Sequence, residues 1–375
     1  MEKIKILHCI ETIGSGGVER RRLSIIKGLD SSIFDHKIIC TKAINNLPKE
    51  FRELGVEIIE IGQFKYPLQP GKLKAALGII KKYQPDIIHG AIFEGISMAT
   101  IAGTIGKVPV RIAEETSFPK NRSKKATYLL KTLLKFADYV VAVSPNVYNY
   151  LNTQAGVPDG KLKLINNGIS DVRRSSDYEI ANLKSHLGIS STDIVIGSVG
   201  RVYDSIKRFS DILKAVKILD RKDIKVLIVG EGPDTSSLIN LAKELGLEEQ
   251  LIMVGFQPET ALFYSLMDIF TIVSGAEGFG LVAVEAMLHS LPVIATRVGG
   301  LEFVVEDNSS GILIDPCSPQ QLSAALSSLI SNPSLANKFG LSGRERALKE
   351  FSAERYVEEV ERLYIESLKS KKIAR

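Results

Sequence analysis

At 375 residues the chain exceeds what one hydrophobic core ordinarily fills, so two domains are expected, each large enough to bury a core of its own. With 45% hydrophobic and 24% charged residues, few aromatics and no Trp, the composition is that of a globular protein and excludes a disordered or fibrous one. The net charge of +5 is unevenly spread: residues 1–170 hold 25 Lys and Arg against 15 Asp and Glu, and the remainder 23 against 28, which gives +10 and −5. A basic first half points to an anionic partner there, such as a membrane surface, a polyanion or a phosphorylated acceptor.

The opening stretch, MEKIKILHCIETIG, turns polar after one strand length and has no signal-peptide pattern. No apolar run reaches the roughly 20 residues a membrane helix needs. The expectation is a cytoplasmic protein, peripheral at most to the inner face of a membrane. Cys9, Cys40 and Cys317 are widely spaced and none pairs with His or Cys at metal-ligand spacing. Cys9 and Cys40 lie in apolar runs and read as buried, reduced thiols.

The first half carries short β-branched runs, KIKILHCI, HKIICT, VEIIEIG, DIIHG, VRIAEE, YVVAVS and KLKLIN, separated by helix-period segments such as 18–29, 72–83 and 146–154. Strand then helix throughout predicts a parallel, doubly wound sheet. The polar stretch SDVRRSSD, 170–177, is the predicted linker. A second alternation then begins with DIVIGSVG, IKVLIVG, LIMVGF, IFTIVS and PVIATRV. Residues 353–375 read as a long helix with Tyr356, Val360, Leu363, Tyr364 and Leu368 on one side, able to cross back to the first domain. In open parallel sheets ligands bind beyond the carboxyl ends of the strands, so two such domains, 1–170 and 171–352, are expected to bind substrates in a cleft between them.

Following the first strand, Gly14-Ser15-Gly16-Gly17-Val18-Glu19 lets the backbone approach a ligand closely before a helix whose first amides can receive a phosphate. A plain strand-to-helix turn fits those residues as well. No acidic residue clearly ends the second strand and no Gly-Lys-Ser/Thr follows, so neither the dinucleotide fingerprint nor a P-loop is present. His89, at the end of DIIHG, is a cleft candidate or a structural histidine. The segment 120–136, KNRSKKATYLLKTLLKF, sets Lys120, Arg122, Lys124, Lys125, Lys131 and Lys135 beside Leu129, Leu130, Leu133, Leu134 and Phe136. It reads either as a basic helix lying on an anionic membrane or as one with its leucines in the core and its lysines in water.

In the second half, DIVIGSVG ends at Gly200, Arg201 follows at its tip, and Lys207 stands just before the next helix. Two cations beside one strand end suit a diphosphate, Arg as a two-pronged donor and Lys as a mobile point charge. A solvated loop with incidental charges is the alternative. The segment Glu277-Gly278-Phe279-Gly280-Leu281-Val282-Ala283-Val284-Glu285 lies between the strand IFTIVS and a helix through Leu288. Its glycines keep the backbone open where helix-start amides meet phosphate or sugar oxygens. Glu277 is positioned to reach a sugar. Glu285, in an apolar stretch of the second helical turn, needs partners that a ribose diol would supply.

This Glu-x7-Glu segment downstream of Gly-Arg and Lys resembles the retaining glycosyltransferases of family 4. The likeness extends over nearly the whole chain through 14–19, ADYVVAVSP, INNGI, VGRVYDSIKR, VGEGP, VGF and PVIATRVGGLEFV. The resemblance implies the GT-B fold, two Rossmann-like domains with the donor bound mainly by the second and the acceptor by the first. It implies that Arg201 and Lys207 bind the diphosphate, Glu277 the donor sugar and Glu285 the ribose, with the amides around Gly278, Phe279, Gly280 and Leu281 assisting. Gly16 and Gly17 would approach the phosphate, and Phe256 would lie beside the nucleobase. Arg201, Lys207 and Glu277 are thus the expected catalytic residues of a hexosyl-type transferase acting on a nucleotide diphosphate sugar, a UDP-sugar favoured, as donor substrate. The acceptor would be a glycan or lipid-linked acceptor of surface polysaccharide or glycolipid synthesis.

No Asp-x-Asp pair occurs in the chain, and neither a metal nor another cofactor is expected. Where many relatives carry a His, this chain has RIAEETSFP, so Glu115 or Thr116 takes its place or the acceptor side is built differently. That departure motivates a second reading, a non-catalytic glycosyltransferase-like partner subunit, and a third, a sugar-nucleotide epimerase.

Overall fold

The computed structural model describes residues 2–14, 16–117, 122–172 and 175–373. The chain divides into two units, one of residues 1–170 with 353–375 and one of residues 171–352. The first unit holds a seven-stranded sheet of β1 (Ile4–Cys9), β2 (Phe34–Cys40), β3 (Glu57–Glu60), β4 (Ile87–Ala91), β5 (Val110–Glu115), β6 (Tyr139–Ala142) and β7 (Leu162–Leu164), in the order β3-β2-β1-β4-β5-β6-β7. Every pairing is parallel. The strands are β-branched and buried because helices cover both faces, which is why they read as apolar runs without alternation. Connections leave β1 in one direction towards β3 and return to its other side at β4, so the switch point lies between the carboxyl ends of β1 and β4.

The C-terminal helix, Ala353–Ile373, packs Tyr356, Val357, Val360, Leu363 and Tyr364 into a core with Ile6, Ile25, Leu29, Phe34 and Val110, while Leu368 is partly buried against it. It lies so near the helix Gly17–Gly28 that a Cβ on Gly28 would sit 2.8 Å from Val357 Cγ2. Beneath it runs a buried polar network. Arg22 Nη2 is 2.5 Å from Glu114 Oε2 and Nη1 donates to His89 Nδ1 at 3.0 Å, while Tyr364 Oη reaches the same ring nitrogen at 2.8 Å. Since arginine only donates, Nδ1 is an acceptor and the ring proton sits on Nε2, which faces Glu114 Oε2 at 3.2 Å. His8 Nε2 contacts His36 Nδ1 at 3.1 Å in the same interior.

The second unit holds a six-stranded sheet of β8 (Ile194–Val199), β9 (Ile224–Val229), β10 (Leu251–Met253), β11 (Ile269–Ile272), β12 (Val293–Thr296) and β13 (Gly311–Ile314), ordered β10-β9-β8-β11-β12-β13 and again parallel. Of the thirteen strands in these two sheets, twelve fall on runs picked out in the sequence; a further two-residue pair, Thr12–Ile13 with Lys42–Ala43, forms a small parallel sheet of its own. The missed one, β13, has four residues bounded by Gly and Asp-Pro, too short for a periodic signal. Cys9 and Cys40 are buried, Cys317 is exposed, and all three are free thiols, as their contexts indicated.

Burial pushes His8 far down and lowers His36 and His89 to about 4, with Arg22 adding to the effect at His89. These rings are neutral in the fold, whereas the unfolded chain takes up their protons near the ordinary value of 6.5. Their contribution to stability is therefore complete above pH 6.5 and is lost as pH falls towards about 4. Calorimetry is expected to show a melting temperature that is level above pH 6.5 and declines steadily below it; a level profile down to pH 4 would mean that the rings are charged in the fold.

Candidate active site

The parallel register of the second unit brings the carboxyl ends of its strands to one edge, where the candidate donor residues stand in sheet order. Gly200 follows β8 with φ +153° and Gly230 follows β9 with φ +142°. A Cβ on Gly230 would lie 2.0 Å from the Gly200 carbonyl oxygen, so only glycine lets these two backbones meet. The Gly230 amide donates to the Gly255 carbonyl at 2.8 Å, extending the rim to β10. Arg201 and Phe256 consequently stand on the same rim with the end of β9 between them, both exposed. Arg201 makes no side-chain hydrogen bond among the described residues.

Lys207 ends the short helix Asp204–Lys207, and its Nζ lies 2.6 Å from Glu277 Oε2, a partner 70 residues away. Ser274 Oγ donates to the same oxygen at 3.4 Å. Both members of the pair remain partly open, Lys207 at 25% and Glu277 at 18% side-chain exposure. The Glu277 carbonyl accepts from the Gly300 amide at 3.0 Å, and a Cβ on Gly300 would fall 2.4 Å from Phe279 Cα and 2.5 Å from the Gly278 oxygen. Gly280, at φ +99°, begins the helix Leu281–Leu288, whose start no side chain caps. Phe279 is buried, edge-on to Phe351 with ring centres 5.5 Å apart, and anchors the loop. One turn into the helix, Glu285 is half-buried, and its Oε2 accepts from Tyr264 Oη at 2.7 Å.

The expected donor residues thus gather on one rim of one unit. The first unit presents a different picture. His89, the cleft candidate, is 1% exposed, with Arg22 and Tyr364 on its Nδ1 and Glu114 facing its Nε2, so its place is structural and it is withdrawn from the acceptor side. Glu115 is also buried; its Oε1 accepts from Ser117 and its Oε2 from Arg122 at 2.9 Å. Side-chain alternation along β5 explains the difference: Glu114 faces the interior with His89, and Glu115 projects to the other side. Burial alone would raise the Glu114 carboxyl, but Arg22 and His89 outweigh it and hold Glu114 well below the usual carboxylate range. Thr116 is half-buried at the strand end.

Gly16 is exposed at the start of the helix Gly17–Gly28, and Gly17 is half-buried. Ser15 lies outside the described residues. The Glu19 carboxylate folds back on this turn, so near that a Cβ on Gly16 would be 2.5 Å from its Oε2. Burial raises the Glu19 pKa against bonds from the amides of Glu19 and Gly14. Beyond β4, Ile92 has φ +63°, a strained value for a β-branched residue, placed at the switch point. In the basic segment, Lys120 lies outside the described residues; the helix is Lys124–Leu134, with Leu130, Leu133 and Leu134 buried and Leu129 half-buried. Its leucines therefore face the core, and the outward side shows Lys124, Lys125, Tyr128, Lys131 and Lys135, with Phe136 just beyond.

Sequence reading missed Arg22 and Tyr264. Arg22 was legible: it falls between Val18 and the pair Ile25 and Ile26 on the apolar stripe of its helix, where a cation must have a buried partner. Nothing local marks Tyr264.

The family model described as glycosyl transferases group 1 matches residues 179–346, and that described as glycosyltransferase family 4 matches residues 15–173. The chain belongs to glycosyltransferase family 4. Among relatives, the capsular polysaccharide biosynthesis glycosyltransferase CapM of Staphylococcus aureus is 24% identical over 387 residues, covering 98% of this chain and 99% of CapM. N-acetyl-alpha-D-glucosaminyl L-malate synthase of Bacillus anthracis is 29% identical over 248 residues, a match that takes in 65% of this chain and 64% of the synthase. Among solved structures, Anabaena Alr3699/HepE in complex with UDP and glucose superposes with a TM-score of 0.87 at 20% identity, over 96% of this chain and 99% of that one. The fold class of this family 4 member is accordingly GT-B, with two Rossmann-like domains.

Because backbone atoms face Gly300 directly, Gly300→Ala is expected to destabilise the second unit by about 1–3 kcal/mol through overpacking. Urea denaturation measures this; an unchanged midpoint would show that the 277–280 loop can retreat at no cost.

Proposed function

We propose that this glycosyltransferase moves a sugar from a nucleotide diphosphate sugar, UDP-linked, to a glycan or lipid-linked acceptor in surface polysaccharide or glycolipid synthesis, retaining the anomeric configuration and requiring no metal. The observation that carries the reading is the Lys207–Glu277 pair beside Arg201 and the Gly278–Gly280 loop, with Glu285 one helical turn away. The capsular polysaccharide role in CapM's name and the UDP in the Anabaena complex support the choice of product and base.

In this reading Arg201 and Lys207 bind the diphosphate and Glu285 the ribose hydroxyls, while Phe256 lies against the base. The Lys207 ammonium bonds Glu277 until a donor enters, then turns to the phosphate and frees Glu277 for the sugar hydroxyls. Amides at Gly278, Phe279, Gly280 and Leu281 add partial positive charge from the helix start. The bond from the anomeric carbon to the diphosphate oxygen breaks, and the acceptor oxygen bonds to that carbon on the same face. The acceptor's proton passes to the departing phosphate oxygen, so no general base is needed. On the first unit, Thr116 stays the acceptor-side candidate, since Glu115 is buried and held by Arg122. Arg201 and Lys207 supply the charge that an Asp-x-Asp-bound metal supplies elsewhere, so turnover is expected to survive EDTA.

Calorimetric titration of UDP and UDP-glucose tests the donor side. Glu285→Ala is expected to weaken UDP about tenfold or more, the loss of a hydrogen bond to a charged group, and Lys207→Ala to lower kcat/KM by a hundredfold or more. Wild-type affinity in Glu285→Ala would sink the ribose assignment.

No helix among the described residues is long and apolar enough to cross a membrane. A peripheral contact remains part of the proposal, now through the lysines of Lys124–Leu134 with Tyr128, 74% exposed, and Phe136, 47% exposed, rather than through the leucines. Flotation with phosphatidylglycerol vesicles at low salt is expected to carry the protein upward and 0.5 M salt to release it; no flotation at low salt would end this part.

A further inference from the structure

Tyr264 closes the short helix Ala261–Tyr264 and is 1% exposed. Its ring is held on two sides, by His289 stacked at 5.0 Å and 23° and by Phe270 at 5.6 Å and 46°. The hydroxyl is therefore placed by the core and cannot follow a ligand. It lies 2.7 Å from Glu285 Oε2 and 3.3 Å from the Val282 carbonyl oxygen. A phenol has one proton, and the shorter, charge-assisted contact takes it. Burial, with the adjacent Glu285 charge, keeps the phenol pKa far above its ordinary value, so it is a donor at every working pH. His289 Nδ1 donates to the Glu285 carbonyl at 2.8 Å, so the residue stacked on Tyr264 also ties down the backbone that carries the carboxylate.

We infer that Tyr264 is a positioning residue for donor binding: its hydroxyl holds the Glu285 carboxylate in the one orientation that meets the ribose diol. The inference rests on the role proposed above for Glu285. A glutamate on the second turn of a helix samples several rotamers, and fixing it on ligand binding costs side-chain entropy. A buried phenol that fixes it beforehand removes that cost from the binding step, as preorganisation does generally. Were Tyr264 only filling the core, its hydroxyl would need no more than the Val282 carbonyl. Instead the short bond goes to the one carboxylate of the helix.

The test is a double-mutant cycle on UDP affinity, measured calorimetrically with the full chain as wild type, Tyr264→Phe, Glu285→Ala and both together. Tyr264→Phe keeps the ring stack and is expected to weaken UDP about tenfold, to raise the donor KM with kcat nearly unchanged, and to leave the melting temperature close to wild type. The double variant should bind UDP no more weakly than Glu285→Ala alone, because Tyr264 acts through that carboxylate. Additive losses, or a Tyr264→Phe variant that binds UDP like wild type while Glu285→Ala does not, would overturn the positioning role and leave the ribose assignment standing. If Glu285→Ala itself binds UDP like wild type, the ribose assignment fails first. Should Tyr264→Phe melt well below wild type, the affinities are compared at a temperature where all four proteins are folded by circular dichroism, and wild-type affinity of Tyr264→Phe there would overturn the inference.

Discussion

Parallel pairing across β10, β9, β8, β11 and β12 points all five strands at the same edge, and the chemistry of the second unit depends on that constraint. Residues at 201, 207, 256, 277 and 300 are scattered over a hundred positions of sequence, yet each directly follows a strand of one sheet or the turn beyond it. The strands can be brought so near because the rim is lined with glycines. Gly230 accommodates the Gly200 carbonyl, and Gly300 accommodates the Phe279 backbone, at distances where any Cβ would clash. Backbone amides are thereby presented at the rim without intervening side chains, an arrangement suited to anionic oxygens.

Onto that rim two opposite charges are set in contact. Left without a ligand, Lys207 and Glu277 satisfy each other at 2.6 Å while staying partly solvated, so neither pays the full cost of an unpaired charge in a half-buried place. The same pair is readily exchanged. On the proposed reading, a diphosphate offers Lys207 a stronger anion and sugar hydroxyls offer Glu277 donors, and the pair then serves as a placeholder for a donor rather than a fixed strut. Glu285 is handled differently, since its partner Tyr264 comes from the core and does not have to leave.

In the first unit the charges are spent on architecture. Arg22, Glu114 and His89 are all but sealed from water, so the pair repays its desolvation only as far as its lone pairs and protons are matched. Tyr364 from the C-terminal helix adds a contact to His89 Nδ1, so packing that helix over the sheet and building the network are coupled, although Arg22 Nε has no hydrogen-bond partner among the described residues. The cost appears at low pH, where His8, His36 and His89 would rather be charged. The Arg22 to Glu114 cluster also accounts for the fate of two residues that looked functional in the sequence: His89 is consumed by it, and Glu115, one position on, turns to the opposite face and is consumed by Arg122.

Strand and helix periodicity, glycine placement and the order of short motifs sufficed to read the doubly wound sheets, the return of the C-terminal helix to the first unit and the gathering of 201, 207, 256 and 277 at the strand ends of the second. All of these are properties of local sequence, because alternation of elements dictates a parallel sheet and a parallel sheet dictates where loops converge. Local sequence could not say which candidates were already occupied. Whether His89 faced a ligand or Arg22, whether the leucines of Lys124–Leu134 met a core or a surface, and which side chain steadies Glu285 each depended on a partner far along the chain. Burial and pairing are set by what packs against a residue, and that neighbour is chosen only when the strands and helices assemble.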